Sequence, residues 1–387
     1  MRGRLLAVTT GRADYGLLYP LIKLLSHDGH FHLELAVTGS HLSKEFGNTI
    51  DLVVKDGISV DYPVDIHSYG GDEAAVCHSM AVGLEKFSEL FAKNRPDLLF
   101  VLGDRYELLP VCSAALVHRI PIAHIHGGEA TLGVMDDSIR HAVTKLSLLH
   151  FPSIDVYEKR IIQMGEHPDR VFTVGSLGID NIANTPPVSC DEMISSLGVD
   201  PSKQFALFTF HPVTLSGAVA SIEQVRVIFD ALAGYEFTVV ITMPNADQGG
   251  MGLYSIIEEF SNRDPIKYVI RKNLGQANYI NAMRHAALMI GNSSSGIIEA
   301  ASCELPVVNI GDRQGGRVKP ANVISCNCRA HEIKEAINTA LGKKFRDGIK
   351  GMTNPYGDGT AAGNILSVLK SIDISSLPDK LKKVFYE

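Results

Sequence analysis

Short, largely apolar runs alternate along this chain with longer segments whose apolar residues recur every three or four positions. In the first half the apolar runs are RLLAVTTG (4–11), FHLELAVTG (31–39), DLLFVLGD (97–104), IPIAHIHGG (120–128) and RVFTVGS (170–176). Helical patterns such as YGLLYPLIKLLS and ALVHR lie between them. A strand that is apolar throughout has both faces covered, as parallel strands do. Strand–helix alternation therefore predicts right-handed βαβ units and a doubly wound sheet.

The pattern stops at NTPPVS (184–189), where two prolines and small polar residues read as a linker, and then restarts. FALFTFHP (205–212), FTVVITMPN (237–245), KYVI (267–270), ALMIGNSSSG (287–296) and LPVVNIGDR (305–313) are the strands of the second half. The expected fold class is α/β, with two Rossmann-like domains built on parallel sheets. These are placed at residues 1–183 and 190–365, with a C-terminal helix and tail at 366–387. A chain of 387 residues is also longer than one core usually serves.

Composition narrows the partners. The formal charge of −7 argues against nucleic acid, while a local arginine cluster still suits a small anion. Six cysteines (Cys77, Cys112, Cys190, Cys303, Cys326, Cys328) form no CxxC pair and show no metal-ligand spacing, which reads as reduced thiols. The opening MRGRLLAVTTGRADYG has too short an apolar run for a signal peptide. No stretch approaches the roughly 20 apolar residues of a membrane span. The expected compartment is the cytoplasm, with no membrane partner.

Ligands of open α/β sheets bind at the carboxyl ends of the strands. Here those ends carry Gly11, Arg12 and Asp14; Gly103, Asp104 and Arg105; His126 to Glu129; His211; Asn245; Asn292 to Ser295; and Gly311 to Arg313. Two such ends facing each other would form an interdomain cleft. GRADYG is neither GxGxxG nor a P-loop, so dinucleotide and ATP binding lose their best evidence. GNSSSGIIEAA opens directly into a helix, where backbone N–H groups and the hydroxyls of Ser293 and Ser294 suit a phosphate. A plain serine N-cap is the simpler reading of the same residues. Arg12, Arg105 and Arg313 favour a diphosphate, since guanidinium forks match its oxygens. Glu299, expected two turns along that helix, can accept from a ribose hydroxyl or simply be a solvated helix acid. His211 is either structural or a ligand at its strand end.

The acids Asp104, Glu129, Asp136 and Asp137 fall on or just after the runs at 97–104 and 120–128. Asp137 alone is explained as an N-cap or first-turn acid, with Arg140 and His141 on the helix surface. Glu129 after two glycines and Asp104 after Gly103 are not. Carboxylates beside arginines suit general acid–base work and stabilisation of a cationic sugar. His118, His124, His126 and Glu129 raise a metal reading, but HIHGGE lacks the helical HExxH spacing. No metal and no cofactor are expected.

The motifs GRADYG, VLGDRYE, HIHGGEATLG, DDSIRHAVTK, FHPVTL, GNSSSGIIEA and VNIGDRQGGRV, in this order, resemble those of the hydrolysing UDP-N-acetylglucosamine 2-epimerases of sialic acid biosynthesis. The resemblance implies a glycosyltransferase-B-like fold with the active site in the interdomain cleft. It also implies conversion of UDP-N-acetylglucosamine and water to N-acetylmannosamine and UDP, and a homodimer or homotetramer. On the nucleotide side it implies Arg12, Arg105, His211, Asn245, Ser293, Ser294, Glu299 and Arg313. On the catalytic side it implies Asp104, Glu129 and Asp136, with Asp137 beside it and His126, where some relatives carry Glu. The alternatives are the same reaction on UDP-2,4-diacetamido-2,4,6-trideoxyglucose, a non-hydrolysing epimerase, a retaining glycosyltransferase and a nucleotide-sugar sensor.

Overall fold

The computed structural model describes residues 3–43, 48–66, 72–213, 218–243, 250–271 and 274–387. The chain divides into two units: Met1–Glu129 with Met135–Asn181 and Tyr356–Glu387, and Ala130–Val134 with Ile182–Pro355. The first unit holds β1 (Gly3–Thr9), β2 (Phe31–Thr38), β3 (Tyr62–Val64), β4 (Leu98–Leu102), β5 (Ile122–Ile125) and β6 (Leu149–Phe151). They form one sheet in the order β3-β2-β1-β4-β5-β6. The second unit holds β7 (Phe205–Thr209), β8 (Thr238–Thr242), β9 (Tyr268–Arg271), β10 (Leu288–Gly291), β11 (Val307–Ile310) and β12 (Val323–Cys326). Their order is β12-β11-β10-β7-β8-β9. Every pairing within both sheets is parallel.

The unbroken apolar runs have the expected cause. Leu5 and Ala7 of β1 and Leu98 and Phe100 of β4 join a core with the helices Arg12–His27 and Ala361–Ser371. Their neighbours Leu6, Val8, Leu99 and Val101 join a second core on the other face, with the helices Glu73–Lys93, Leu108–Val117 and Met135–Leu146. Alternate residues thus serve opposite faces, and neither face can be polar.

Two expectations are corrected. The unit expected at 190–365 ends at Pro355, and the residues expected as an appended helix and tail belong to the first unit. The reason is packing and capping. Ile365 and Leu369 are fully buried in the first unit's core, each worth about 2–5 kcal/mol against alanine. Asp180 accepts from the N–H groups of Ala361 and Ala362 at 2.9 and 2.7 Å, capping that helix. The run 170–176 is not a strand. Val171 makes a single parallel bridge to His150 of β6, and then Phe172 and Val174 donate to the carbonyls of His150 and Pro152.

Pro20 inside the helix Arg12–His27 cannot serve the Gly16 carbonyl four residues earlier. Asn181 Nδ2 donates to it instead, at 2.8 Å. No helix among the described residues is long and apolar enough to cross a membrane.

Candidate active site

In each unit the strand order reverses at one place, between β1 and β4 in the first and between β7 and β10 in the second. Such switch points are where open α/β sheets bind ligands.

In the first unit, β1 leads through Thr10 and Gly11 into the helix that begins at Arg12. Asp14 is buried and accepts from the N–H of Thr10 (2.6 Å) and the hydroxyls of Thr9 (3.1 Å) and Thr10 (3.2 Å). This acid is structural: it holds the turn that presents Arg12. After β4, Gly103 takes φ +82, and the chain turns into Asp104 and Arg105. Arg105 donates to the buried Glu107 at 3.3 Å. Burial pushes the Glu107 carboxyl up, against the pull of that guanidinium.

Asp104 pairs with Arg140, and the same guanidinium reaches Asp137 at 3.3 Å. His141 lies 3.5 Å from the other oxygen of Asp137. The simpler reading of MDDSIRH, with Arg140 on the helix surface, does not hold: its side chain is only 3% exposed. Ile139, Arg140, Val143 and Thr144 form the buried stripe of the helix Met135–Leu146. The i, i+1, i+4, i+5 spacing is the sequence signal of that stripe, and it places Arg140, inside the motif DDSIRHAVTK, on the buried face. Asp136 is half-buried in the first turn of the same helix.

A second group follows β5. His126, at φ +62, brings its Nδ1 to 3.9 Å from Glu129, and both side chains are buried. Ser153 donates to the same Glu129 oxygen at 3.4 Å. His124 and His126 do not act as a chelating pair: His124 stays inside β5, bound to the Gly103 carbonyl and Thr144, while His126 lies beyond the strand. No group of three His, Cys, Asp or Glu among the described residues is arranged to hold a metal ion.

In the second unit, Gly291 ends β10 at φ +137, and a Cβ there would lie 1.9 Å from the Thr209 carbonyl oxygen. Only glycine allows β10 and β7 to approach so closely. Asn292 follows and clamps β7's extension from both sides: the His211 N–H donates to its side-chain oxygen at 2.7 Å, and its amide donates to the His211 carbonyl at 2.8 Å. Arg313 and Gln314 then donate to the Asn292 carbonyl at 3.1 and 2.8 Å. His211 and Arg313 are thereby gathered on one residue. Leu132, in the segment Ala130–Val134, donates to the Arg313 carbonyl at 3.0 Å.

Ser293 caps the helix Ser294–Ile298, accepting from the Ser295 N–H. That helix is one turn long, and Glu299 stands at its end rather than two turns along it. So short a helix has little macrodipole, and what it offers an anion is its first N–H groups. Glu299 is no solvated acid either. Ser295 Oγ donates to it at 2.5 Å and receives the Tyr279 hydroxyl at 3.1 Å. Burial pushes the Glu299 carboxyl up, against the Ser295 hydrogen bond. Asn245 lies outside the described residues.

Comparison with known proteins identifies the group of enzymes that share this framework. The family described as UDP-N-acetylglucosamine 2-epimerase matches residues 23–370. Polysialic acid biosynthesis protein P7 of Escherichia coli is 36% identical over 99% of this chain and 97% of its own. The hydrolysing GDP/UDP-N,N'-diacetylbacillosamine 2-epimerase of Campylobacter jejuni is 36% identical over 88% of each chain. A solved structure of UDP-GlcNAc 2-epimerase from Neisseria meningitidis, bound to UDP-GlcNAc, has a TM-score of 0.79 at 17% identity. It covers 95% of this chain and 100% of that one, a likeness of fold. With two parallel six-stranded sheets and these relatives, the chain belongs to the hydrolysing UDP-sugar 2-epimerases of the UDP-N-acetylglucosamine 2-epimerase family.

Proposed function

We propose that this hydrolysing 2-epimerase acts on UDP-N-acetylglucosamine, releasing N-acetylmannosamine and UDP. Asp104, Glu129 and Asp136 serve the sugar, with Asp137, Arg140 and His126 beside them. Arg12, Arg105, His211, Ser293, Ser294, Glu299 and Arg313 serve the nucleotide, and Asn245 is assigned with them from sequence. The observation that carries this reading is the gathering of carboxylates around Arg140 and His126 at the ends of β4 and β5.

The reaction explains why such a set is needed. The hydrogen on carbon 2 has no neighbouring carbonyl to acidify it. When the bond from carbon 1 to the diphosphate breaks, its electron pair leaves with UDP and the ring becomes oxocarbenium-like. The carbon 2 proton can then pass to a carboxylate, giving the glycal. Water next adds its oxygen at carbon 1, and a proton is returned to the opposite face of carbon 2, inverting that centre. Carboxylates stabilise the cationic ring while arginines and N–H groups stabilise departing UDP. A nucleotide-sugar sensor would need the arginines but not the acids.

The E. coli relative, similar over nearly the whole length and named for polysialic acid synthesis, favours N-acetylglucosamine as the sugar. The Campylobacter relative, of equal identity, favours the 2,4-diacetamido sugar as the second reading. Incubating the protein with each UDP-sugar and no acceptor tests both. Free N-acetylmannosamine and UDP from the first sugar support the proposal. Turnover of the diacetamido sugar alone moves the substrate to the second reading, and UDP release only when an acceptor is added, with the sugar joined to that acceptor and none set free, identifies a transferase.

A further inference from the structure

His124 belongs to none of the groups above, yet it touches all the elements that carry the sugar-side acids. Its side chain is completely buried in β5. Nε2 lies 2.8 Å from the carbonyl oxygen of Gly103, the residue immediately before Asp104. Nδ1 lies 3.1 Å from Thr144 Oγ1, on the helix that carries Asp136, Asp137 and Arg140. Thr144 Oγ1 is also 2.9 Å from the carbonyl of Arg140 itself. The ring's third neighbour is Gly127, two residues before Glu129: a Cβ there would meet His124 Nδ1 at 2.9 Å and Thr144 Oγ1 at 3.1 Å.

We propose that His124 is a positioning residue that pins together the turn bearing Asp104, the loop leading to Glu129 and the helix bearing Asp136 and Arg140. This rests on the assignment of those acids to the sugar. A carbonyl oxygen can only accept, so Nε2 carries the proton. Burial holds the ring's pKa down at about 3, so the imidazole is neutral and Nδ1 accepts; the single Thr144 hydroxyl proton turns to it, and the Arg140 carbonyl is then a close neighbour of Thr144 Oγ1 rather than its acceptor. A ring so held moves no proton in the reaction. Its contribution is geometry, and a displacement of roughly 1 Å in a catalytic group costs about 10²-fold in rate.

The test compares His124→Phe, His124→Gln and Thr144→Val in the full chain, with Asp104→Asn as reference. His124→Phe keeps a ring and loses both hydrogen bonds. Its expected kcat is about 10²-fold lower, with KM and UDP affinity close to the parent's. His124→Gln keeps an N–H within reach of the Gly103 carbonyl and restores most of that loss. Thr144→Val, which keeps the shape and removes the hydroxyl, lowers kcat about tenfold, and it decides the matter if His124→Phe does not fold. In the ¹⁵N-histidine NMR spectrum, His124 should show the Nε2–H tautomer and not titrate between pH 8 and 5.5. Parent-like kcat in Thr144→Val or folded His124→Phe, or a ring titrating near neutrality, overturns the proposal. An active Asp104→Asn would instead overturn the assignment of the acids on which it rests.

Discussion

Replacing Arg140 by methionine gives a sharp separation of stability from chemistry. The side chain is 3% exposed, and its two carboxylate partners, Asp104 and Asp137, are 24% and 28% exposed. Methionine fills most of the volume but removes the guanidinium that Asp104 and Asp137 share. Breaking a fully buried pair costs roughly 3–5 kcal/mol, and a surface pair is worth roughly 0–1. With the carboxylates a quarter in water, the expected loss is about 2–3 kcal/mol. A domain with a stability of about 5–15 kcal/mol stays folded after such a loss. The rate loss that follows from the proposed role of Asp104 is larger, about 10²–10³-fold, because that carboxylate loses the guanidinium that holds it. Arg140→Lys restores the charge without the fork that reaches both acids, so stability recovers more than rate does. The assay is kcat from UDP release at saturating sugar, with a urea midpoint on the same sample. A folded Arg140→Met with kcat within about threefold of the parent, well short of that loss, would refute the reasoning.

Acid should destabilise the protein in two stages. Burial holds His124 down at about 3 from an ordinary 6.5, and burial likewise holds His150 down against its bond to Glu166. Both histidines take up protons on unfolding, so their stability is complete above about pH 6.5 and falls below it, for His124 at about 1.4 kcal/mol per pH unit. Burial raises Glu166, but bonds from His150, Lys145 and Lys383 outweigh it and hold it at about 2 from 4.5, so its contribution is lost only as pH falls from 4.5 towards 2. Urea midpoints between pH 8 and 5 read the first stage, and a flat profile would contradict the burial of both rings. Gly291→Ala should yield no stable folded protein, given a Cβ 1.9 Å from a carbonyl oxygen; a melting temperature near the parent's would contradict it. Asn292→Ala removes both bonds to the His211 backbone, at about 1–3 kcal/mol for the buried N–H left unpaired. It should raise KM for the UDP-sugar more than it lowers kcat; the reverse split would place Asn292 with the chemistry.

The central strands were legible because both their faces are buried, which leaves unbroken apolar runs. Of the four edge strands only β9 was, as KYVI (267–270). β3 and β12 are short and only partly buried, so YPV and VISC carry no such run. β6 is buried, but only two residues separate it from the preceding helix, and the helical pattern runs into it. The return of the C-terminal helix to the first unit depends on Asp180 capping a helix 181 residues later, a pairing that no local pattern announces. In the site, motif order singles out Asp104, Glu129 and Asp136, with Asp137 and His126 beside them. Arg140 was hidden because a charged residue beside charged neighbours reads as surface, although its spacing from Val143 and Thr144 places it on the buried stripe. Glu299 was misplaced because the helix tightens to 3₁₀ after a single turn.

The most direct test of the central claim is proton NMR of the protein with UDP-N-acetylglucosamine in D₂O. The account predicts UDP release together with free N-acetylmannosamine carrying deuterium at carbon 2, because the proton leaves before another is returned from solvent. N-acetylmannosamine that keeps its protium at carbon 2, or N-acetylglucosamine released with its configuration unchanged, would contradict elimination through a glycal.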